Sequence, residues 1–186
     1  MFAALGAFVY LQRTEPPWYA RLWYPLKYAS IVRGHAAHYD LSPALLAAVI
    51  EQESKFDAGA RSSAGAVGLM QLQPATAQGI AKYTGGAKFV LADLDDPEIN
   101  VRYGAWYLEH LREKYESRPN ATDLALAAYN AGQGQVDHWL AETPPGSPVH
   151  IGFAETRAYV ARVHQLQAIY RRAYASQLGY AQASSP

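Results

Sequence analysis

The stretch AVIEQESKFDAGARSSAGAVGLMQLQPATA, residues 48–77, begins inside an apolar helical pattern and carries two glutamates into it. It then crosses a segment of small residues to a Gly-Leu-Met-Gln sequence. At about 100° per residue, four apolar side chains share one stripe of this helix, namely Leu45, Leu46, Val49 and Ile50. Glu53 falls near the middle of that stripe and Glu51 falls nearly opposite. We therefore predict that Glu53 faces inward and that Glu51 faces water.

An inward carboxylate has a particular chemistry. Burial disfavours the anion, so the pKa of Glu53 should rise unless a cation or several donors stabilise the charge. A general acid that works near neutral pH needs a pKa raised in this way. Helical phase alone leaves equally open a glutamate that reaches solvent in the last turn of the helix.

Composition and charge limit the classes of function. The chain has 186 residues, 50% hydrophobic and 17% charged, which is typical of one globular domain with a sizeable core. Sixteen basic and sixteen acidic residues cancel, so no bulk field attracts nucleic acid, and we predict no nucleic-acid partner. Cysteine is absent, which excludes disulfides, thiolate metal sites and a cysteine nucleophile. The fourteen tyrosines suit a wet groove for sugars or peptides, and equally suit aromatic packing.

The hydrophobic period is helical almost throughout, which predicts an all-α fold. Ser42 before Pro43 and Asp96 before Pro97 each offer a side-chain cap followed by proline at the first helical position. The predicted helices are 25–39, 43–55, 74–82, 97–115, 122–129, 134–140 (a shorter one) and 155–175. Loops 59–68, 84–95 and 142–152 are the expected rims of a cleft.

The two ends of the chain differ from the part between them. Residues 1–24 combine an apolar run, Phe2–Leu11, with an aromatic segment that includes Trp18 and Trp23. The run is shorter than the ~20 residues that span a bilayer, so we predict a truncated export signal or membrane anchor. The alternative is an N-terminal arm packed on the domain. We expect the domain itself over 25–175 and a flexible tail over 176–186.

A set of short motifs recurs in a fixed order along the chain. They are Glu53-Ser54, Ser62, Gly68-Leu69-Met70-Gln71 before Pro74 and Thr76, Ala128-Tyr129-Asn130-Ala131-Gly132, and Glu155-Thr156-Arg157 with Tyr159. Each alone is a weak signal, since the alanine-to-glycine run would also serve as a helix end. Together they resemble the soluble lytic transglycosylase family, over roughly Tyr24 to Tyr170. The resemblance implies a lysozyme-like helical domain, exported to the cell envelope, that cleaves the MurNAc-β-1,4-GlcNAc bond of peptidoglycan without water.

The resemblance also implies a mechanism with a single carboxylate. Glu53 corresponds to the family's catalytic acid and base, whereas most glycosidases use two carboxylates. The C6 hydroxyl of the substrate would attack the anomeric carbon, so the nucleophile is tethered and a 1,6-anhydro sugar results. Glycan strands of peptidoglycan are the implied partner. No metal and no organic cofactor are implied.

By the same resemblance, Ser62 and Gln71 stand near Glu53 and the sugar, where a hydroxyl and an amide can bond its polar atoms. Tyr129 bonds the catalytic carboxyl or lines a sugar subsite. Asn130 contacts the substrate or, equally, caps its helix.

Three further positions complete the candidate site. Met70 is expected to pack below the cleft. Glu155, in the first turn of the last helix, shares a face with Tyr159 and is expected to point inward, to support the site or to favour the positive helix end. Gln73 stands where the family often has methionine, which puts the sugar-stacking floor and the subsite preference in question.

Other readings compete with the lytic transglycosylase. A goose-type muramidase would share the helical architecture and the lone glutamate but use water. A non-enzymatic peptidoglycan-binding module would not need Glu53 on an inner face. Asp57, just after its helix, is predicted to cap a loop rather than act as a second catalytic carboxylate. His35 and His38 lie three apart without a nearby carboxylate, so we predict solvated histidines rather than a metal pair.

Overall fold

The computed structural model describes residues 16–180, and within them the chain is helical, with only isolated bridges in place of strands. The eight α-helices are α1 Pro17–Trp23, α2 Ala29–His38, α3 Pro43–Ser54, α4 Pro74–Tyr83, α5 Pro97–Lys114, α6 Ala121–Ala131, α7 Gln133–Ala141 and α8 Ala154–Ala173. A 3₁₀ helix, Leu91–Asp95, precedes α5. The predicted all-α fold is confirmed. The sequence did not predict α1 or the 3₁₀ helix.

The helix α3 forms the centre of the domain. It packs along α8 on one side and against α2 on another. Every residue from Ala44 to Glu51 is buried. The apolar residues of α3 therefore face neighbours all round, not along a single stripe, and its last two turns hold the site.

Two predicted helix starts are confirmed by their caps. The Ser42 hydroxyl accepts the backbone N–H of Leu45 at 3.3 Å, and the Asp96 carboxylate accepts that of Glu98 at 2.8 Å. The helix predicted to begin at residue 25 begins at Ala29 instead. Tyr28 adopts a left-handed conformation, with φ 53°, which separates the two segments.

The N-terminal segment packs on the domain from α1 onward. Arg21 donates from Nε and Nη2 to the carbonyl of Ala173, at 2.9 and 2.6 Å. The Tyr174 hydroxyl donates to the carbonyl of Tyr24 at 2.9 Å. Residues 17–24 therefore belong to the folded unit, which starts earlier than predicted. The apolar run Phe2–Leu11 lies outside the described residues, and no described helix has the length and apolar character needed to span a membrane.

The C-terminal segment is also more ordered than predicted. Leu178 is buried, and the Tyr180 hydroxyl lies 2.8 Å from the Ser42 hydroxyl at the start of α3. The predicted flexible tail is therefore wrong for residues 176–180, because Leu178 is buried, Tyr180 bonds the start of α3, and Arg33 of α2 donates to the carbonyl of Gln177. Residues 181–186 lie outside the described part of the chain.

Candidate active site

Glu53 lies at the end of α3, where the chain turns sharply. Lys55 and Phe56 both have left-handed backbone angles, with φ of 52° and 58°. Successive non-glycine residues in this region cost about 1–3 kcal/mol each and occur at functional sites. Phe56 is buried against Tyr170, with ring centroids 5.9 Å apart, which holds the turn in place.

The Glu53 carboxylate is half-buried and hydrogen-bonded to one tyrosine. The Tyr159 hydroxyl, on α8, donates to Glu53 Oε1 at 2.6 Å. Burial raises the pKa of Glu53, and the bond from Tyr159 opposes the rise only in part. The predicted inward orientation and raised pKa of Glu53 are confirmed.

Tyr159 is the residue next to Glu53 to which the sequence analysis gave no role. It is buried, and burial followed by the negative charge of Glu53 raises its pKa well above the ordinary value. The hydroxyl therefore stays protonated and acts as a donor to the carboxylate. Its sequence signal was its place on the apolar face of the last helix.

Tyr129 lies close to Glu53 without bonding it. Its hydroxyl donates to the carbonyl of Met70 at 2.8 Å. Burial raises the pKa of Tyr129 well above its usual value, and the charge of Glu53 adds to the rise. The predicted bond from Tyr129 to the carboxyl of Glu53 is wrong, because Tyr159 makes that bond instead. The predicted role of Tyr129 in lining a sugar subsite stays a prediction.

The loop between α3 and α4 is held by Asn100, which the sequence analysis missed. Asn100 is fully buried on α5. Its Oδ1 accepts the N–H of Met70 at 2.9 Å, and its Nδ2 donates to the carbonyls of Val67 and Leu94, each at 2.9 Å. A Cβ at Gly68 would lie 2.2 Å from this Nδ2, so glycine is required there. Asn100 shares a helical phase with the buried apolar face of α5, a signal that could have identified it.

The side chain of Met70, a residue of this loop, points beneath it into the core. It is completely buried, and a Cβ on Gly104 would lie 2.3 Å from its sulfur. Its side chain therefore supports the loop from below and presents no surface to a ligand.

Ser62 and Gln71 make bonds within the same loop. The Ser62 hydroxyl accepts the N–H of Ala66 at 3.0 Å. Gln71 has φ 47°, and its Nε2 donates to the carbonyls of Ala60 and Gly68 at 3.1 and 2.9 Å. These bonds shape the loop, and the predicted contacts of both residues with a sugar stay predictions. Gln73 is exposed at the start of α4, and its sugar contact also stays a prediction.

The ends of α6 and α8 meet through Asn130. Its Oδ1 accepts the hydroxyl of the buried Thr156 at 3.0 Å. Asn130 therefore braces α8 against α6 and does not act as a backbone cap. Glu155, predicted to point inward, is exposed. That prediction was wrong because Glu155 lies in the first turn of α8, where Thr156 takes the inward position.

Glu51 was predicted to face water, and this was also wrong. Its side chain is only 8% exposed, and its Oε2 accepts the Tyr170 hydroxyl at 3.1 Å. The reason is that α8 covers the face of α3 opposite the apolar stripe. Burial raises the pKa of Glu51. The charge of Glu51 does not contribute to the shift in the pKa of Glu53.

The other polar candidates lie outside this cluster. Asp57 accepts the N–H of Gly59 at 2.9 Å, which confirms its predicted loop-capping role. His35 is not solvated, since its side chain is 13% exposed and its Nε2 lies 2.7 Å from Glu98 Oε1, a carboxylate distant in sequence. Within residues 16–180, no group of three or more histidines and carboxylates could hold a metal ion. A cavity of about 520 Å³ beside His35 and Glu98 does not include Glu53.

Comparisons with known proteins agree with this fold. A family model described as "Transglycosylase SLT domain" matches residues 30–147. The chain is 33% identical over 159 residues to the soluble lytic murein transglycosylase of Salmonella typhimurium, a match that covers 80% of this chain and 23% of the relative. It is 32% identical over 154 residues to the protein of that name from Escherichia coli, with the same coverage.

Two solved structures share the fold. An inactive mutant of the lytic transglycosylase Slt from Pseudomonas aeruginosa matches with a TM-score of 0.71 at 33% identity, over 81% of this chain and 25% of that one. The 70 kDa soluble lytic transglycosylase from Escherichia coli matches with a TM-score of 0.71 at 29% identity, over 82% and 25%. The fold is thus the all-α, lysozyme-like fold of the lytic transglycosylases. The chain belongs to the transglycosylase SLT domain family, and it spans about a quarter of the length of these relatives.

Proposed function

We propose that this chain is a lytic transglycosylase that cleaves MurNAc-β-1,4-GlcNAc bonds in peptidoglycan and leaves 1,6-anhydroMurNAc ends. The observation that carries the proposal is the half-buried Glu53, whose raised pKa comes from burial and whose one hydrogen-bond donor is Tyr159. A raised pKa favours the protonated form of the carboxyl, which is the form that a general acid needs. Membership of the family and the names of the relatives support the same activity.

In the first step, Glu53 donates its proton to the glycosidic oxygen, and the bond from that oxygen to C1 of MurNAc breaks. The hydroxyl of Tyr159 engages Oε1, so Oε2 is the oxygen that carries the transferred proton. The same bond stabilises the carboxylate that remains, because hydrogen bonds to a charged acceptor are stronger than neutral ones.

In the second step, the C6 hydroxyl attacks C1 and gives its proton to Glu53. The new C1–O6 bond closes the anhydro ring, and Glu53 returns to its protonated form, so no water and no net proton are consumed. A tethered hydroxyl has a high effective concentration, which removes the need for a second carboxylate to activate water. In support, no carboxylate charge contributes to the pKa shift of Glu53.

We propose substrate contacts for the polar residues of the loop and of α6. Gln71 and Gln73 would contact the sugar from the loop, Ser62 would do so from its exposed turn, and Tyr129 would line the subsite beside Glu53. Asn130 is exposed next to this region and would reach the substrate with its amide nitrogen, since its oxygen bonds Thr156.

Digestion of purified sacculi in ¹⁸O-labelled water tests the reaction. We expect products lighter by one water than hydrolytic products, without label at the new MurNAc end. Label at that end would assign the chain to the muramidases. Binding to sacculi without any cleavage would instead make it a non-catalytic module.

We also propose that the protein is exported to the cell envelope and associates with a membrane through residues 1–24. The support is that Trp18, Leu22 and Trp23 on α1 are 58%, 71% and 63% exposed. Aromatic and apolar side chains of this kind are enriched at membrane interfaces. Fractionation of cells that express the full natural reading frame is the test, and protein confined to the cytosol would contradict the proposal.

A further inference from the structure

Three aromatic rings form an open stack away from Glu53, which we call the aromatic shelf: Tyr83, Trp106 and His110. The rings of Trp106 and His110, one turn apart on α5, lie 4.9 Å apart at an angle of 8°. Tyr83, the last residue of α4, places its ring 6.3 Å from Trp106 at 26°. The shelf therefore presents nearly parallel rings from two helices.

The shelf is open to solvent. Tyr83 is 81% exposed, His110 is exposed and Trp106 is half-buried. An exposed group of large rings is unusual in a soluble domain and marks a binding surface. Tyr83 contacts the rings of Trp106 and His110 and leaves most of its own surface to solvent.

A groove of about 260 Å³ runs along the shelf. Besides the three rings, its lining includes the side chains of Thr76, Tyr107 and Gln133. None of the described residues that line the groove is Asp, Glu, Lys or Arg. The lining thus combines ring faces with neutral hydrogen-bonding groups, which is the chemistry that recognises an uncharged sugar ring.

The groove adjoins the site around Glu53 through a pair of tyrosines. The ring of Tyr107, in the groove lining, lies 5.5 Å from the ring of Tyr129. Tyr129 in turn is close enough to Glu53 for the charge of that carboxylate to raise its pKa. Gln133, at the start of α7, donates to the Tyr107 hydroxyl at 3.4 Å and so holds this ring within the groove lining. The groove and the surroundings of Glu53 therefore meet at this pair of tyrosines.

We propose that the aromatic shelf is a distal subsite that stacks on an N-acetylhexosamine ring of the glycan strand, away from the bond that is cleaved. This inference rests on the proposed function and predicts that long strands bind more tightly than short ones. The peptide stem of peptidoglycan is a poorer occupant, because it carries carboxylates and the groove lining offers no lysine or arginine. Among the described residues, Lys114 donates to Gln133 of the lining, and this lysine is paired with Asp137 at 2.7 Å.

Binding of peptide-free glycan strands to the Glu53→Gln protein tests the shelf without cleavage. The probes are strands of two and of six or more alternating GlcNAc and MurNAc units, measured by calorimetry. We expect Tyr83→Ala to weaken binding of the long strand about fivefold to tenfold and to leave the disaccharide unchanged. Trp106→Phe, which keeps a smaller ring, should give a weaker effect of the same kind. Trp23→Ala removes another exposed ring, on α1 and outside the groove lining, and is the matched control.

Two results would overturn the proposal. One is that the long strand binds the Tyr83→Ala protein and the control protein equally well, with unchanged thermal unfolding temperatures. Failure of the long strand to bind at all would count in the same way. The other is binding of an isolated stem peptide that Tyr83→Ala abolishes, which would assign the shelf to peptide. The two proposals can fail separately. If the products end in anhydro sugars and Tyr83→Ala does not change the binding of the long strand, the shelf alone is rejected. If Tyr83→Ala weakens that binding and the products carry ¹⁸O label, the proposed reaction alone is rejected.

Discussion

The hydroxyl of Tyr159 lies 2.6 Å from Oε1 of Glu53, although the two residues are 106 positions apart in the chain. The bond joins the end of α3 to the second turn of α8 and fixes one oxygen of the Glu53 carboxyl group. Burial raises the pKa of Glu53 and the tyrosine bond moderates the rise, so the two effects together set the pH range of the acid.

Replacement of Glu53 by glutamine should remove activity and leave the fold intact. The amide keeps the shape of the side chain but cannot deliver a proton, so turnover of sacculi should fall about 10²–10⁴-fold. Release of soluble muropeptides measures the loss. Glu116→Gln, which changes an exposed glutamate in the turn after α5, is the matched control and should retain full activity. Retention of more than about a tenth of the turnover by Glu53→Gln would contradict the assignment.

Replacement of Tyr159 by phenylalanine should move the pH profile in a defined direction. The bond from Tyr159 lowers the pKa of Glu53, so its loss raises that pKa further. Because the reaction starts from protonated Glu53, the limb on which activity falls with rising pH should move to higher pH. The maximal rate should fall about tenfold, since the anion between the two steps loses a charged hydrogen bond. A limb that moves to lower pH would show that Tyr159 does not stabilise the carboxylate.

Glu51 should affect stability and not catalysis. Because burial raises its pKa, the folded protein holds this proton more tightly than the unfolded chain. The resulting stabilisation is full below the ordinary pKa of 4.5 and is lost as pH rises through the folded pKa.

Glu51→Gln keeps an acceptor for Tyr170 without the charge. The variant should therefore be more stable than the wild type at neutral pH, by on the order of 1 kcal/mol, and the difference should vanish below pH 4.5. Urea unfolding at several pH values measures this difference. Equal pH dependence in both proteins would mean that Glu51 does not titrate differently on folding, and a large loss of turnover would give it a role in the site.

Replacement of Asn100 by alanine should destabilise the loop that faces Glu53. The change leaves the N–H of Met70 and the carbonyl of Leu94 without this partner, at a cost of about 1–3 kcal/mol, whereas the carbonyl of Val67 still accepts the N–H of Leu72. Thermal unfolding measures the loss, and Gln78→Ala on the exposed face of α4 is the control. An unchanged unfolding temperature would mean that other contacts hold the loop.

Local signals in the sequence predicted most of the helices and the inward orientation of Glu53. Ser42 and Asp96 cap the helices they were expected to cap, because a cap needs only residues within one turn. Glu53 faces inward as its phase indicated. Helix ends away from such caps were less accurate, as at Tyr28, where one left-handed residue separates two segments.

By itself, then, the sequence determined the all-α class, the apolar face that carries Glu53 and the motifs that place the chain in its family. Only the tertiary structure decided what stands opposite each face: α8 buries Glu51, leaves Glu155 exposed and brings Tyr159 to the carboxyl of Glu53. The physical reason is that helical periodicity reports the polarity of each side of an element. Which segment packs against that side depends on contacts between parts of the chain that are far apart in sequence, and a local pattern contains no information about those contacts.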